Sequence, residues 1–403
     1  MLSESINVRL GLTPNCRLHV GIAAPIYLPL LSDYLHNADT IEVEGMGGFS
    51  VTYLVRGLLS LGVKVSVYTL DPRQTKPLLI EGSRLKVYCG HFRTHGRMKD
   101  LMRLERKQLE DFMAVDDPDL IHAHWTYEYA WAAVASGKPN LITVRDWSLA
   151  ILSYHKDLYR LGRFLMDRIT LRRGRNFSVN SPYLRECVSR TVGQAVHITP
   201  NSIPAEWFLK GEKEIGKNGL TLLSINNGFS ERKNVGNLLK AFKIVRQHLA
   251  SARLLLVGHG YESDGRAVVW AQSEDLTDGV KFFGKNSNEE IRELLDLSDI
   301  LVHPALEESF GMTLVEAMAR KVPVIAGQSS GAVPWVLSGG EAGLLVDVSS
   351  VDTLVQSILR LAMDRGLWKS FSESGYRNAL RRFNSNEVAK DVISLYHQVI
   401  EET

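Results

Sequence analysis

The stretch that decides the fold runs from Asp299 to Ala326 and reads DILVHPALEESFGMTLVEAMARKVPVIA. It begins with the apolar run DILVHP, continues through a polar loop and ends with a second apolar run, VPVIA. This order predicts a strand, a helix and a second strand, with the helix beginning around Met312–Thr313. Glu308 and Glu316 lie on either side of the Phe-Gly turn in the loop.

The two carboxylates are eight positions apart. On one continuous helix they would differ by about 80° in direction and roughly 12 Å in height, which argues against an acid–base pair. We expect Glu308 at the end of the strand and Glu316 one turn into the helix, so that each can bind a separate diol. The amides of 310–312 would then lie at a helix start, where anions and hydroxyls bind. Thr313-x-x-Glu316 also matches a capping box, and this structural alternative stays open.

Similar apolar runs alternate with helical patterns through most of the chain. Examples are RLHVGIAA, KVSVYTL, DLIHAHW and NLITV, followed after the Pro-, Gly- and Lys-containing segment 199–219 by LTLLSI, ARLLLVG and VKFFG. Runs that are apolar on both faces are typical of a parallel sheet covered by helices. We predict an α/β protein with two Rossmann-like, doubly wound domains (residues 1–210 and 211–380) that face a central cleft. A C-terminal helix, 381–403, is expected to cross back to the first domain.

Composition excludes several classes of protein. The 403 residues include 47 Lys and Arg against 45 Asp and Glu, and a net charge of +2 does not favour a nucleic-acid partner. Cys16, Cys89 and Cys187 are too widely spaced for a disulfide framework or a structural zinc site. The N-terminus lacks the pattern of a signal peptide, and no apolar run reaches the roughly 20 residues of a membrane span. These features predict a cytoplasmic protein.

Three glycine-containing segments are candidate ligand sites. NNGFSERKNV (226–235) follows a strand and combines Gly228 with Arg232 and Lys233, which suits a diphosphate; a solvated cation pair is the alternative. Gly47 and Gly48 precede the first helix, where a phosphate or hydroxyl can approach the backbone, or where glycine only sets the entry angle of the chain. GHGYESDG (258–265) nearly matches a dinucleotide fingerprint, but Ser263 replaces the third glycine and the segment lies in the middle of its domain.

Polar residues also end two strands of the first domain. His122 and His124 alternate along one strand and are expected on the same face, and Arg145 and Asp146 end the next strand. No further ligand is spaced for zinc, so we predict no metal site. We interpret His122 as a packed or hydrogen-bonded residue and His124 as the better functional candidate.

Taken in order, GMGG, LIHAHW, NSIPAEWF, SERKN, LLLVGHG and EESFGMTLVEAMARKVPVIA resemble the retaining glycosyltransferases of family 4, which have the GT-B fold. The resemblance covers nearly the whole chain, and the E-x7-E stretch is its most specific part. It implies transfer of a sugar from a nucleotide-diphosphate sugar to an acceptor hydroxyl, with retention and without a metal. The products would belong to polysaccharide, lipopolysaccharide or other glycoconjugate synthesis, with a glycan or lipid-linked acceptor.

The resemblance also implies roles for individual residues. Glu316 would bind the ribose, Glu308 the donor sugar, and Lys233 the diphosphate. The full set of implied donor-binding residues is Gly47, Gly48, Gly228, Arg232, Lys233, Glu308, Ser309, Phe310, Gly311, Met312, Thr313 and Glu316.

The sequence departs from the family pattern at three places. Asn227-Gly228 replaces a common Gly-Arg, so Arg232 would supply the second cation. Arg145 occupies the position of a frequent His, and because Arg cannot act as a base, acceptor activation would fall to Asp146, His124 or the donor phosphate. Trp335 occupies the position of a common Glu. The catalytic candidates are therefore His124, Arg145, Asp146 and Glu308.

Other functions remain open at this point. They are a non-hydrolysing sugar-nucleotide epimerase, a non-catalytic sugar-nucleotide binder, and an NAD-dependent oxidoreductase that uses GHGYES. The segment 155–175 is basic, with Leu158, Leu161, Leu165 and Ile169 at helical spacing. It is interpreted as a core helix with a solvated basic face, with peripheral contact to an anionic membrane as the alternative.

Overall fold

The computed structural model describes residues 18–36, 43–216 and 219–403, which form two compact α/β units. The first unit holds the described residues up to Val179, together with Val188–Thr199 and Val388–Thr403. The second holds Asn180–Cys187 and Pro200–Glu387. Cys16 and the N-terminal residues that argued against a signal peptide lie outside the described residues, and Cys89 and Cys187 are free thiols.

The first unit is built on an eight-stranded sheet with the strand order β3-β4-β2-β1-β5-β6-β7-β8. Its strands are β1 (His19–Ala23), β2 (Lys64–Asp71), β3 (Leu78–Glu81), β4 (Leu85–His91), β5 (Leu120–His124), β6 (Asn140–Val144), β7 (Phe177–Val179) and β8 (Val196–Ile198). Its helices are α1 (Phe49–Ser60), α2 (Arg103–Asp116), α3 (Glu128–Ala135), α4 (Ser148–Tyr154) and α5 (Leu158–Arg173), with α6 (Pro182–Val192) beginning in the second unit.

The predicted strands of this sheet are present, with small shifts at their ends. All neighbouring strands pair in parallel except β3, which runs antiparallel to β4. Four strands were not predicted, namely β3, β4, β7 and β8. They are short or only partly apolar, and strands of three or four residues have no periodicity that a sequence window can detect.

The second unit is built on a six-stranded, fully parallel sheet with the order β11-β10-β9-β12-β13-β14. Its strands are β9 (Thr221–Ile225), β10 (Arg253–Val257), β11 (Val280–Phe283), β12 (Ile300–His303), β13 (Val324–Gly327) and β14 (Leu344–Val346). Its helices are α7 (Val235–His248), α8 (Arg266–Ser273), α9 (Asn288–Leu297), α10 (Met312–Ala319), α11 (Val333–Val336), α12 (Val351–Met363) and α13 (Arg365–Phe383).

β9 and β12 are neighbours in the middle of this second sheet although they are not consecutive in the chain. From β9 the strand order proceeds towards one edge through β10 and β11, and from β12 towards the other edge through β13 and β14. Ligands of such sheets bind outside the carboxyl ends of the strands at that point. The loops that follow β9 and β12 are therefore the expected position of a ligand site in this unit.

The last helix, α14 (Ser385–Glu401), contributes a continuous apolar side to the first unit. Val388, Ala389, Val392, Ile393, Tyr396 and Val399 belong to the hydrophobic core of that unit. None of the described helices combines the length and apolar composition needed to cross a bilayer.

Candidate functional site

Glu308 lies in the loop that follows β12, at the carboxyl edge of the second sheet. Its Oε2 is 2.8 Å from Lys233 Nζ and 3.6 Å from Nε2 of His303, the last residue of β12. Burial alone would raise the pKa of Glu308, but the Lys233 ammonium and His303 outweigh it and hold that pKa well below its usual range. Glu308 is therefore ionised at neutral pH and can only accept hydrogen bonds.

Lys233 reaches this site from the loop after β9, 75 positions earlier in the chain. Its side chain is only 9% exposed. Its neighbour Arg232 donates to the Glu307 carboxylate (2.9 Å) and to the Glu307 carbonyl oxygen (3.2 Å). Two cations and two carboxylates thus meet at adjacent strand ends.

The helix α10 begins directly beyond Glu308. Gly311 is its N-cap, with a left-handed φ of +89°, and Met312 is its first residue. The first amides of a helix have no partner within the helix and carry partial positive charge. Phe310 is 2% exposed and packs edge-on against Trp335 and Phe383. Its ring is therefore part of the packing of this unit, and a backbone contact of Phe310 with the donor stays a prediction.

Glu316 lies in the second turn of α10 and is partly exposed. Burial raises its pKa to about 7. The capping-box alternative is wrong, because Gly311 is the N-cap and no side chain caps this helix. The Thr313 hydroxyl that would have served as the cap is buried without a hydrogen-bond partner among the described residues.

A second loop holds the backbone of Glu308 in place. The Glu308 carbonyl accepts a hydrogen bond from the Ala332 amide (2.9 Å), and the Ser330 hydroxyl donates to the Ala305 carbonyl (2.6 Å). Gly331 has a φ of +60°, and a Cβ there would collide with the Glu308 carbonyl. Ser309 is held as well, because its carbonyl accepts from the Ser181 hydroxyl (2.7 Å).

Sequence reasoning missed His303, Glu307 and Gly331. His303 could have been noticed as the polar residue that ends β12. The contacts of Glu307 and Gly331 had no local signal, because their partners lie far away in the chain. Trp335, which departs from the family pattern, stacks with Arg382, whose guanidinium carbon is 4.4 Å from the ring centroid.

The GHGYESDG segment is shaped by packing against the β9 loop. Gly258 has a φ of +129°, and a Cβ there would collide with the carbonyl oxygen of Asn226. Gly260 donates its amide to the Glu262 carboxylate (2.8 Å). Packing and hydrogen bonding within this unit therefore explain why glycine occupies both positions, and this removes the main support for a dinucleotide site. Gly228 has a left-handed φ of +89°, and its amide donates to the His259 carbonyl (2.9 Å).

In the first unit, Gly47 and Gly48 lead into α1. Gly48 is the N-cap with a φ of +77°, and a Cβ there would collide with the Pro25 carbonyl. A Cβ on Gly47 would meet no heavy atom within 4 Å. The path of the backbone into α1 thus requires glycine at position 48, whereas Gly47 borders open space.

Arg145 and His124 form one hydrogen-bonded group at the ends of β6 and β5. Arg145 donates from Nε (3.1 Å) and Nη2 (3.0 Å) to His124 Nδ1, and from Nη1 to the Ser50 hydroxyl (3.1 Å). Since a guanidinium only donates, Nδ1 must be unprotonated and a neutral His124 carries its proton on Nε2. Burial, with His122 and Arg145 nearby, holds the pKa of His124 well below its usual range. This geometry makes His124 a hydrogen-bond donor and does not support its acting as the base.

The interpretation of His122 is confirmed. Its Nδ1 is 2.7 Å from the Tyr396 hydroxyl, and its Nε2 is 2.6 Å from the Thr143 hydroxyl. The Asp146 carboxylate accepts a hydrogen bond from the Tyr127 hydroxyl (2.9 Å), and its Oδ2 lies 3.9 Å from Arg163 Nη2. Asp146 stays a prediction for acceptor activation. Within the described residues, no three His, Cys, Asp or Glu side chains come together as a metal site.

Two family models match the chain, one after the other. The model described as Glycosyltransferase Family 4 matches residues 47–207, and the model described as Glycosyl transferases group 1 matches residues 206–378. The second match contains Lys233, Glu308 and Glu316.

Among curated proteins, N-acetyl-alpha-D-glucosaminyl L-malate synthase of Bacillus anthracis is 32% identical over 193 residues. That match spans 48% of this chain and 49% of the relative. Sucrose-phosphate synthases also match, and the match covers 15% of the length of the maize protein. The chain thus spans about half, or less, of the length of these curated relatives.

Solved structures resemble nearly the whole chain. Sucrose-phosphate synthase from Thermosynechococcus elongatus has a TM-score of 0.77 at 20% identity and covers 96% of this chain and 100% of its own. HepE of Anabaena, solved with UDP and glucose, has a TM-score of 0.69 at 16% identity, with coverage of 95% and 100%. At these identities the likeness establishes the fold.

Proposed function

The chain belongs to the GT4-type glycosyltransferases and has the GT-B fold, and from that premise we propose that it moves a sugar from a nucleotide-diphosphate sugar to an acceptor hydroxyl with retention. The observation that carries the proposal is an arrangement in which the Lys233–Glu308 ion pair lies beside the start of α10, the helix that also holds Glu316. It combines one buried cation, free helix amides and two carboxylates at the carboxyl edge of a parallel sheet. These are the groups that a sugar diphosphate requires.

The reaction breaks the bond between the anomeric carbon and the diphosphate oxygen, which keeps the electron pair. A new bond forms between the anomeric carbon and the acceptor oxygen. Lys233 and the first amides of α10 stabilise the negative charge that develops on the diphosphate. In this arrangement the diphosphate competes with Glu308 for the Lys233 ammonium, now 2.8 Å from Glu308.

The two carboxylates hold the hydroxyl groups of the donor. Glu308, ionised by its cationic neighbours, accepts hydrogen bonds from the sugar hydroxyls. Glu316, whose pKa is raised to about 7, accepts from the ribose diol, and binding favours its charged form. A nucleoside diphosphate donor agrees with HepE, a protein of the same fold that was solved with UDP and glucose.

The proton of the acceptor hydroxyl has two destinations in this proposal, the leaving diphosphate oxygen or Asp146. The donor phosphate is the simpler, because it lies on the face from which a retained product is formed. His124 and Arg145 orient the acceptor by donating hydrogen bonds. The acceptor is a glycan or a lipid-linked hydroxyl in the synthesis of a polysaccharide, lipopolysaccharide or other glycoconjugate.

Donor binding is tested first, with a thermal-shift panel of UDP-, GDP- and ADP-sugars. At 100 times its dissociation constant a donor should stabilise the protein by about 2.7 kcal/mol. Lys233→Met should reduce this stabilisation to about 1.4 kcal/mol or less, as a tenfold loss of affinity requires. Lys243→Met, which removes a surface ion pair with Asp275 (2.9 Å), should preserve it. The proposal fails if no nucleotide sugar changes the melting temperature.

Turnover distinguishes the remaining functions. Transfer to added acceptor sugars or lipid-linked sugars, with slow donor hydrolysis in their absence, supports the transferase. Interconversion of the donor without any acceptor would indicate an epimerase. Normal donor binding with neither transfer nor hydrolysis would indicate a non-catalytic binder.

A further inference from the structure

The helix α5 presents a row of leucines to solvent. Leu158 is 84% exposed, Leu161 41% and Leu165 48%. Spacings of three and four residues place the three side chains on one face of the helix. The interpretation of these leucines as part of the core is therefore wrong.

The preceding helix also carries exposed apolar side chains. In α4, which packs against α5, Leu149 is 47% exposed and Tyr154 44%. Five of the thirteen large apolar side chains that are exposed in the described part of the chain thus lie between positions 149 and 165. We call these five residues the leucine face.

The opposite side of α5 prevents the leucines from turning inward. Met166, Asp167, Thr170 and Leu171 are buried there. The Asp167 carboxylate accepts hydrogen bonds from the hydroxyls of Thr126 (2.6 Å) and Ser148 (2.7 Å). Rotating α5 would expose this carboxylate network and break both bonds, so the leucine face is fixed outward.

The surroundings of the leucine face are strongly basic. Residues 155–175 contain seven cations and two carboxylates, an excess of +5 in a chain whose net charge is +2. The cations are Lys156, Arg160, Arg163, Arg168, Arg172, Arg173 and Arg175. Of the carboxylates, Asp157 pairs with Arg160 (3.0 Å) and Asp167 is buried. Arg172, seven residues after Leu165, continues the exposed face.

We propose that the leucine face docks on an anionic phospholipid surface. The leucines enter the boundary between headgroups and acyl chains, and the flanking cations contact lipid phosphates. Charge complementarity selects this partner. A symmetric contact between two copies of the chain would bring two segments of the same positive charge together, which is unfavourable. The proposal goes beyond the transfer reaction, because docking requires neither donor nor turnover.

The test is sedimentation of the full chain with vesicles of phosphatidylcholine, with and without phosphatidylglycerol. We expect binding to the anionic vesicles at low ionic strength and weaker binding at high salt. The variant L158Q/L161Q/L165Q should lower the partition coefficient at least tenfold. R172Q/R173Q/R175Q should also lower it, by about fivefold for each cation that contacts the surface.

A matched control replaces three exposed apolar side chains of the second unit. Leu297 is 71% exposed, Met363 67% and Leu380 42%, so L297Q/M363Q/L380Q removes a similar apolar surface. This variant should bind vesicles as the unchanged protein does. Circular dichroism and the nucleotide-sugar thermal shift report on folding and on the donor site independently of vesicle binding.

Three results would overturn the proposal. The first is absence of binding to anionic vesicles, and the second is equal binding by the leucine variant. The third comes from sedimentation velocity without lipid: a dimer that L158Q/L161Q/L165Q converts to a monomer would show that a second copy covers the leucine face. None of these results would affect the proposed transferase, which depends on donor binding and turnover.

Discussion

Replacing Glu316 with glutamine should change stability and donor binding in opposite directions. Burial raises the pKa of this carboxyl to about 7 from its ordinary value of 4.5. Since one pKa unit corresponds to about 1.4 kcal/mol, the ionised group costs about 3 kcal/mol of folding free energy. Its residual contact with solvent reduces this cost, so we expect Glu316→Gln to stabilise the free protein by about 2 to 3 kcal/mol at pH 8.

The pH dependence follows from the raised pKa. Below about pH 4.5 the carboxyl is protonated in both folded and unfolded chains, so the variant and the unchanged protein should differ little. As pH rises, the unfolded chain ionises first and the folded state loses stability until about pH 7. The advantage of the variant should therefore grow between these two values and then remain constant.

Donor binding should respond with the opposite sign. Hydrogen bonds to a charged group contribute about 1.5 to 3 kcal/mol, so loss of the carboxylate should weaken binding about 10- to 100-fold. In the unchanged protein, binding should also weaken as pH falls below 7, because ribose hydroxyls donate to the ionised form. In the variant this pH dependence should disappear.

The assays are urea unfolding between pH 5 and pH 8 and titration with the nucleotide sugar that stabilises the protein best. Glu293→Gln, at an exposed position of α9, is the matched control and should change neither quantity. The reasoning is refuted if Glu316→Gln is no more stable than the unchanged protein at pH 8. Unchanged donor affinity would refute the ribose-binding role alone.

Three further outcomes are expected. Lys233→Met should weaken donor binding at least tenfold by calorimetry and raise the pKa of Glu308, whose carboxylate loses its ammonium partner; unchanged affinity would contradict the role of Lys233. Gly331→Ala should lower the melting temperature and impair transfer, because its Cβ displaces the Glu308 carbonyl. Tyr396→Phe should cost about 1 to 3 kcal/mol in urea unfolding, since it leaves buried His122 Nδ1 without a partner; a neutral effect would show that the bond is dispensable.

Much of the architecture could be predicted from local patterns. The strand at 140–144 was predicted with the bounds that the structure has, and the helix α10 begins at Met312, where it was expected. The strand, loop and helix around Glu308 were also predicted, because each depends on periodicity or turn residues within a few positions. The short strands β3, β7, β8 and β14 were missed, since pairing with neighbours rather than their own sequence makes them strands.

The sequence by itself determined the parallel α/β class and the residue types at the strand ends, because hydrophobic periodicity and loop composition are local properties. Only the tertiary structure decided how those residues act. It joined Lys233 to Glu308 across 75 positions, showed that Glu316 does not cap its helix, and placed Arg145 as a donor against His124 Nδ1. It also turned the leucines of α5 outward. The physical reason is that partner distance, burial and protonation depend on which strand ends the sheet brings together, and chain spacing does not record that.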